Sequence, residues 1–325
     1  MSARGAETLP TSGGSLEFLD LGGEIAALSP LQLFWRRFRQ DRVALVSLGF
    51  IGFLVLLAIF APLVVEILGL PSPYTPNANL TDSFGSPLGP SGAHPFGVDQ
   101  LGEDVMSRVI YGTRVSLEVG ILGTAIATVI GVVVGVLAGF YRGWVDTLLS
   151  RLIDIVLSIP ILLLGLGIGA ACAVRGCVNG TIQPGIGVII FLITLVNWTY
   201  IARIVRGLVL SLREREFVDA SRALGASNAR IMFREILPNL IAPVIVYATL
   251  LVPINILIEA SLSFLGVGVR PPTASWGQMI ASATPIFNTA WWYMTFPGIA
   301  LLLTVLAFNL LGDGLRDALN PRTAR

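Results

Sequence analysis

The sequence predicts an all-α integral membrane protein with six transmembrane helices. Of its 325 residues 54% are hydrophobic and only 13% are charged, whereas about a quarter of the residues in a soluble domain carry charge. A helix needs roughly 20 apolar residues to cross the hydrocarbon core of a membrane, and the length of the apolar runs favours helices over strands. The six runs lie at 43–65, 115–140, 148–171, 185–205, 241–264 and 292–311.

The placement of arginine predicts how these spans are oriented. All 21 basic residues are arginines, and 17 of them lie in segments on the same side as the N-terminus. The four on the opposite side are Arg108, Arg114, Arg175 and Arg270. Because basic residues concentrate in cytoplasmic segments, we expect both termini in the cytoplasm.

The spans divide the chain into five parts. Residues 1–42 form a cytoplasmic tail that ends in an interfacial amphipathic helix at 29–42, capped by Ser29. The start of this tail lacks the apolar core of a signal peptide. The other parts are a first transmembrane helix at 43–65, an external loop at 66–114, a five-helix core at 115–311 that includes a cytoplasmic loop at 206–240, and a cytoplasmic tail at 312–325. The proline-rich external loop is either a binding surface or a loosely ordered connector.

Composition excludes several classes of function. The chain has no lysine, so it has neither a P-loop for ATP hydrolysis nor a Schiff-base lysine. One histidine, His94, and two cysteines are too few for a zinc site with the usual ligands. We therefore expect a membrane subunit that is not an enzyme, that binds no metal or cofactor itself, and that has the lipid bilayer but no nucleic acid as a partner.

A charged stretch at 213–239 interrupts the apolar pattern between the fourth and fifth spans. A helix is predicted at 212–224, with Phe217, Ala220 and Leu224 on one stripe. Gly225 is predicted at the left-handed position that ends this helix, and Pro238 is predicted to end a second short helix. Small side chains near the middle of the first helix allow another backbone to approach closely. The stretch is therefore predicted to be a docking element, and the alternative is a solvated connector.

This stretch resembles the EAA cytoplasmic loop of ABC-importer permeases, which reads Glu-Ala-Ala, three residues, Gly, nine residues and Ile-x-Leu-Pro. Asp219, Ser221 and Glu235 depart from that pattern, and Glu235 places a charge where the pattern has isoleucine. The resemblance implies that the chain docks an ATPase through this loop. The docking residues would be Glu216, Phe217, Asp219, Ala220, Ser221, Leu224, Gly225, Leu237 and Pro238.

Three further segments resemble the C-type subunit of the dipeptide/oligopeptide/nickel branch of these permeases. They are HPFGVDQLGEDVMSRVIYGTRVSL at 94–117, EASLSFLGVGVRPPTASWGQMI at 259–280 and LTVLAFNLLGDGLRDALNPR at 303–322. Glu103 stands where such subunits commonly have arginine. The resemblance runs from about residue 35 to the C-terminus. It implies a type I ABC importer permease (MetI-like) fold in the cell membrane of a prokaryote.

The same resemblance implies the partners and the cargo. They are a second, related permease, two ATPase subunits or domains that use ATP and Mg²⁺, and an external substrate-binding protein. The implied function is the import of di- or oligopeptides, and the alternative is nickel or another small solute. From other classes, a secondary transporter would need coupling-ion sites in repeated halves, which the sequence lacks. A membrane scaffold would not need so many spans with scattered glycines.

Several polar residues have more than one interpretation. Glu118 and Glu259 lie within or near apolar spans, where they could mark a translocation path or simply lie close to the outer interface. Asp154 is expected to pair with Arg151 on the same helix. Cys172 and Cys177 lie in an external loop, where a disulfide and two free thiols are equally open alternatives.

Overall fold

The computed structural model describes residues 30–82, 86–172, 174–178 and 180–319, and within these ranges its secondary structure is helical. No β-strand occurs in them, only three isolated bridges. Five of the described helices are long and apolar enough to cross a membrane, or up to six if one bent pair counts as a single span. The predicted cap Ser29 and the preceding tail lie outside the described residues.

The helices are α1 Pro30–Phe38, α2 Arg42–Ile59, α3 Ala61–Ile67, α4 Val105–Tyr141, α5 Gly143–Leu157, α6 Ile161–Ala171, α7 Ile186–Leu212, α8 Glu216–Ala223, α9 Asn228–Arg230, α10 Leu237–Phe264, α11 Trp276–Ala283 and α12 Trp291–Leu319. A π-helical turn, Ile231–Ile236, joins α9 to α10.

The first predicted span, at 43–65, is divided into α2 and α3. Asp41 begins α2, since its carboxylate accepts hydrogen bonds from the backbone N–H groups of Val43 and Ala44. Phe60 separates the two helices, and Pro62 follows in the first turn of α3. Proline has no N–H to donate and crowds the carbonyl four residues earlier, which explains the interruption.

Helix α4 begins ten residues before the predicted start of the second span, so the predicted loop at 66–114 is too long. Asp104 caps this helix by accepting a hydrogen bond of 2.8 Å from the N–H of Ser107. The helix has 37 residues and a length of about 55 Å. Its first three turns contain Arg108 and Arg114, and these polar turns are missed when only apolar runs are counted.

The third predicted span, at 148–171, is two helices instead of one. Helices α5 and α6 are bent by 78° at a short break. The break contains Ser158, Ile159 and Pro160, and Pro160 directly precedes α6. The apolar pattern continues through this break, which is why hydropathy alone predicts one straight span.

Helix α12 extends eight residues beyond the predicted end of the last span, so the predicted tail at 312–325 is helical as far as Leu319. The added turns are held by packing. Ala318 belongs to the same buried cluster as Phe38 of α1 and Ala44 of α2. Gly314 lies so close to α2 that a Cβ added there would be 2.4 Å from the Cβ of Ala44.

The centre of the bundle is the close packing of α4 against α7. Gly131, Gly135 and Gly139 repeat every four residues along α4, so they share one face. A Cβ atom at any of them would lie under 3.0 Å from atoms of α7, including the backbone carbonyl oxygen of Ala202 near Gly135. Small residues of this kind allow the two backbones to approach, as is typical of helix pairs in membranes.

Candidate functional site

Helix α8, which contains most of the predicted docking residues, is attached to the bundle through Val218. The Val218 side chain is fully buried. It belongs to a core cluster that includes Phe140 of α4, Val209 of α7 and Ile231 of the π-helical turn. Val218 is the one buried residue of α8, so most of the helix surface faces away from the bundle.

The predicted stripe of α8 is exposed. Phe217 is 38% exposed and Leu224 is 88% exposed, and Ala220 between them is exposed as well. These positions fall on one face of the helix at spacings of three and four residues. A leucine so open to solvent in a charged segment marks a surface that another protein can cover. We call Phe217, Ala220 and Leu224 the α8 stripe.

The bend after α8 has the geometry expected from the sequence. Gly225 has a φ of 78°, the left-handed conformation that glycine adopts without strain. The N–H of Gly225 donates to the carbonyl of Arg222, and the N–H of Ala226 donates to that of Ser221. These two bonds form a Schellman motif, which ends the helix and satisfies its last carbonyls. The orientation of α8 is therefore fixed by backbone hydrogen bonds.

The predicted helix stop at Pro238 is wrong. Leu237 and Pro238 form the start of α10, and the chain is helical from Asn228 to Phe264. In the π-helical turn before Pro238, hydrogen bonds span five residues instead of four. This wider turn accommodates a residue that lacks an N–H donor. Leu237 and Pro238 thus belong to the span that follows the α8 stripe.

Two arginine contacts tie the segment before α8 to the end of α4. The guanidinium of Arg213 donates to the backbone carbonyls of Phe140 and Gly139, which are among the last of α4. Arg142, in the turn between α4 and α5, pairs with Glu214 at 2.6 Å. Cations near a helix C-terminus interact favourably with its free carbonyls. The docking segment is consequently connected to the α4–α5 turn as well as to α7.

Ion pairs also join α5 to α7 near the same end of the bundle. Asp146 accepts a hydrogen bond of 2.8 Å from Arg206. Asp154 pairs with Arg203 of α7 at 2.7 Å, so the expected pair with Arg151 on its own helix is wrong. Arg203 reaches Asp154 because α5 and α7 pack against each other. The spacing of residues along one helix cannot predict such a contact between helices.

Two family descriptions match this chain. Residues 131–325 match the family described as "Binding-protein-dependent transport system inner membrane component". Residues 29–88 match "N-terminal TM domain of oligopeptide transport permease C". The chain belongs to the permeases of binding-protein-dependent transport systems. The resemblance predicted from the EAA loop and the three further segments is confirmed.

Curated relatives match this permease over nearly its whole length. The dipeptide transport system permease protein DppC of Escherichia coli K12 is 44% identical over 299 residues, 91% of this chain and 94% of that protein. The protein of the same name from Alkalihalophilus pseudofirmus is 39% identical and covers 92% of each chain. The glutathione transport system permease protein GsiD of Salmonella typhimurium is 43% identical over 294 residues, 90% of this chain and 91% of that protein.

Solved structures support the fold. An inward-facing structure of the MetNI methionine ABC transporter matches with a TM-score of 0.56 at 23% identity, and it covers 66% of this chain and 97% of that chain. A second crystal form of that transporter matches with a TM-score of 0.55 at 23% identity, covering 66% of this chain and 98% of that chain. The predicted MetI-like helical fold is consistent with these matches.

The two glutamates considered for a translocation path lie in different surroundings. Glu259 of α10 is fully buried, and its carboxylate accepts hydrogen bonds from Ser116 at 3.0 Å and Ser263 at 2.8 Å. Glu118 is exposed and lines a groove between α2 and α4 together with Arg114. The structure does not bring these carboxylates together, and a pathway role for either stays a prediction. The contacts of Glu259 favour a bracing role between α4 and α10.

Cys172 and Cys177 are joined in a disulfide in this structure. Their Cα atoms are 5.0 Å apart, within the range that a disulfide spans. The bond closes a short loop between α6 and α7.

The described residues between Pro71 and the start of α4 make buried contacts that sequence reasoning missed. Arg108 is only 2% exposed and donates to the carbonyl of Pro73 at 3.0 Å. It also pairs with Glu103 and lies 3.6 Å from Asp99. The histidine of this segment, His94, contacts Asp104 at 2.9 Å. The described part of the proline-rich loop, residues 71–82 and 86–104, is thus compact instead of loosely ordered, and we call it the cap.

Aromatic side chains of α12 hold this cap against the bundle. The indole N–H of Trp292 donates to the carbonyl of Val98 at 3.0 Å, and Phe96 stacks on Phe296 with ring centres 3.9 Å apart. Aromatic residues at the start of a span, here Trp291, Trp292 and Tyr293, are typical of an anchor at the membrane interface, and contact with the cap is a second role. One signal could have revealed the second role: Gly97, whose φ is 73°, leaves room for the indole of Trp292.

Proposed function

We propose that this permease is the transmembrane subunit of an ABC importer for di- or oligopeptides. It crosses the cell membrane of a prokaryote six times, with α5 and α6 together forming one span and both termini in the cytoplasm. An external substrate-binding protein delivers the peptide, and a second, related permease completes the translocation path. Relatives named as dipeptide and glutathione transport permeases support a peptide as the cargo.

The α8 stripe is the observation that carries the docking part of this proposal. It presents exposed apolar side chains on a short helix whose orientation is fixed at both ends, by Arg213 before it and by the Gly225 bend after it. Burial of apolar side chains against a partner is favourable, so this surface is suited to binding another protein. The sequence lacks a P-loop lysine, so this chain needs a partner to hydrolyse ATP.

Movement of α8 would reach the spans through packed contacts. ATP with Mg²⁺ drives the two ATPase subunits together, and the docked α8 moves with them as a rigid lever. Val218 passes this displacement to α4 and α7, and Arg213 passes it to the end of α4. The chain itself is not catalytic. It converts the movement of its partners into alternating access for the peptide.

A bulky side chain on the α8 stripe tests the docking assignment. We expect Ala220→Trp to lower uptake of a labelled dipeptide by at least about tenfold, because the indole would hold the ATPase away from α8. Uptake is measured with the complete complex in proteoliposomes that contain ATP. Ala220→Ser, which keeps a small side chain at the same position, should transport like the wild type. Normal uptake by Ala220→Trp would contradict the docking role.

The nickel alternative is tested with the same preparation. Proteoliposomes that contain the wild-type complex are given either labelled dipeptide or ⁶³Ni²⁺ together with the matching binding protein. We expect ATP-dependent uptake of the peptide and none of the metal ion. Uptake of nickel alone would replace the proposed cargo while leaving the docking role of α8 intact.

A further inference from the structure

A cavity of about 480 Å³ opens beside the break between α5 and α6. Small-molecule sites in proteins typically have volumes of roughly 300–1,000 Å³, so this space can hold part of a short peptide. Pro160 of the break lines one wall, Tyr200 of α7 lines a second, and Ile254 of α10 lines a third. The cavity is thus formed by three of the candidate spans.

The break is consistent with a cavity that holds water or a polar ligand, although the N–H groups of Ser158 and Ile159 are bonded within α5. Ser158, Ile159 and Pro160 are all exposed, and they lie about midway along the apolar segment formed by α5 and α6. Interrupted backbone at membrane depth is tolerated only where it is buried in protein or lines a water-filled cavity, since lipid offers its polar groups no partners. The described part of this chain leaves the break open toward the cavity.

Polar side chains in the wall support the same conclusion. Tyr200 is 49% exposed, and Asn197 lies one helical turn before it on α7. The Asn197 amide donates to Asn255 of α10, which in turn donates to Thr124 of α4 at 2.7 Å. Polar residues within spans mark substrate paths, and this chain of three side chains fixes the position of Asn197 in the cavity wall.

Among the residues that the structure describes, no charged side chain lines the cavity. Its polar members are Asn197, Tyr200 and Ser261, and its other described members are apolar. A divalent cation prefers carboxylate, imidazole or thiolate ligands, and this wall offers none. The hydroxyl groups of Tyr200 and Ser261 instead match the N–H and C=O groups of a peptide backbone, whereas Asn197 is only 2% exposed and is bonded to Asn255.

We infer that this cavity is a subsite of the translocation path that binds the backbone of a short peptide. This inference rests on the proposed importer function and specifies it further. Apolar walls without charge accommodate many side chains and favour none by an ion pair, so selection among peptides falls to other parts of the transporter. The same wall gives a bare metal ion no ligands.

Filling the cavity should block transport without preventing ATP hydrolysis. We expect Ile254→Trp to lower uptake of labelled dialanine by at least about tenfold in proteoliposomes with the complete complex. ATP hydrolysis stimulated by the binding protein should stay within about twofold of the wild type, because α8 is unchanged. Leu302→Trp is the matched control, since Leu302 is an exposed apolar residue of α12 outside the cavity. Wild-type uptake by Ile254→Trp would overturn the inference.

Thiol labelling tests the same site without filling it. Tyr200→Cys in the complete complex should react with a charged, membrane-impermeant methanethiosulfonate reagent, and dialanine should slow that reaction. Leu302→Cys should not react. The complex without an added cysteine measures the background reaction of the native cysteines. If dialanine does not slow the reaction, the subsite is refuted. If the cysteine reacts only with an apolar maleimide, the space is filled with lipid and the subsite is likewise refuted. A wild-type complex that carries no peptide would instead refute the proposed function.

Discussion

At the scale of single residues, the most informative group is the buried ionic cluster at the base of the cap. Arg108 of α4 lies between Glu103 and Asp99, and all three side chains are almost fully buried. Burial disfavours the charged carboxylate, and Asp99 adds a second negative charge nearby. Together they outweigh Arg108 and raise the pKa of Glu103 to about 7. The resemblance to C-type subunits indicates that Glu103 is unusual, but only the fold shows what it contacts.

This raised pKa predicts how the stability of the cap depends on pH. The usual pKa of a glutamate is about 4.3, so the folded protein holds the Glu103 proton more tightly than the unfolded chain does. The stabilisation is complete below the usual pKa and is lost as the pH rises to about 7. We expect the melting temperature of the purified permease to fall between pH 5 and pH 8, and Glu103→Gln to flatten that fall.

The control for this experiment is Glu118→Gln, because Glu118 is an exposed carboxyl on α4 outside the cluster. Glu103→Gln differs from the wild type in one ionisable group only, so a difference between their curves that Glu118→Gln does not show belongs to Glu103. The charged and titratable groups around it include Arg108, Asp99, Tyr74 and Tyr293. Identical slopes in the wild type and Glu103→Gln would contradict the raised pKa.

At the scale of elements, proline shows why helix boundaries are hard to read from sequence. Pro160 stands at a sharp break, whereas Pro238 lies in the first turn of α10 and Pro253 lies inside the same helix. All three lack an N–H donor, but whether the helix breaks or continues depends on the backbone of the turn before each proline. A π-helical turn precedes Pro238, and nothing in the order of residue types at 231–236 predicts it.

The contact between α4 and α7 predicts the effect of a single added methyl group. A Cβ at Gly135 would lie 2.7 Å from the carbonyl oxygen of Ala202 and 2.7 Å from the Cβ of Val205. Because a backbone oxygen cannot rotate away, the helices must separate. We expect Gly135→Ala to destabilise the permease by roughly 1–3 kcal/mol, the usual cost of overpacking. The free energy is measured by denaturant unfolding in detergent.

Gly207 provides the matched comparison on α7. It is also a helical glycine, and a Cβ there would meet no atom within 4 Å. Alanine has the higher helix propensity, so Gly207→Ala should leave stability unchanged or raise it by up to about 1 kcal/mol. If both variants lost the same stability, the close approach of α4 and α7 could not be the reason.

At the scale of the whole molecule, the lopsided distribution of arginine predicts the orientation. A fluorescent protein fused to the C-terminus should fluoresce, and alkaline phosphatase fused there should be inactive, because both termini are expected in the cytoplasm. Alkaline phosphatase fused after Gly69, in a chain truncated at that point, should be active because α2 would carry it across. An active phosphatase at the C-terminus would reverse the predicted orientation.

The sequence by itself determined the helical membrane class, the approximate places of the apolar spans and the family. The length of the apolar runs follows from the thickness of the hydrocarbon core, and the Schellman bend at Gly225 depends on neighbouring residues only. Both can therefore be predicted without the tertiary structure. Tertiary structure decided the 78° break before α6, the compact cap around Arg108 and the partner of Asp154. The contacts of Arg108 with Pro73 and of Asp154 with Arg203 join residues far apart in the chain that become neighbours only when the helices pack.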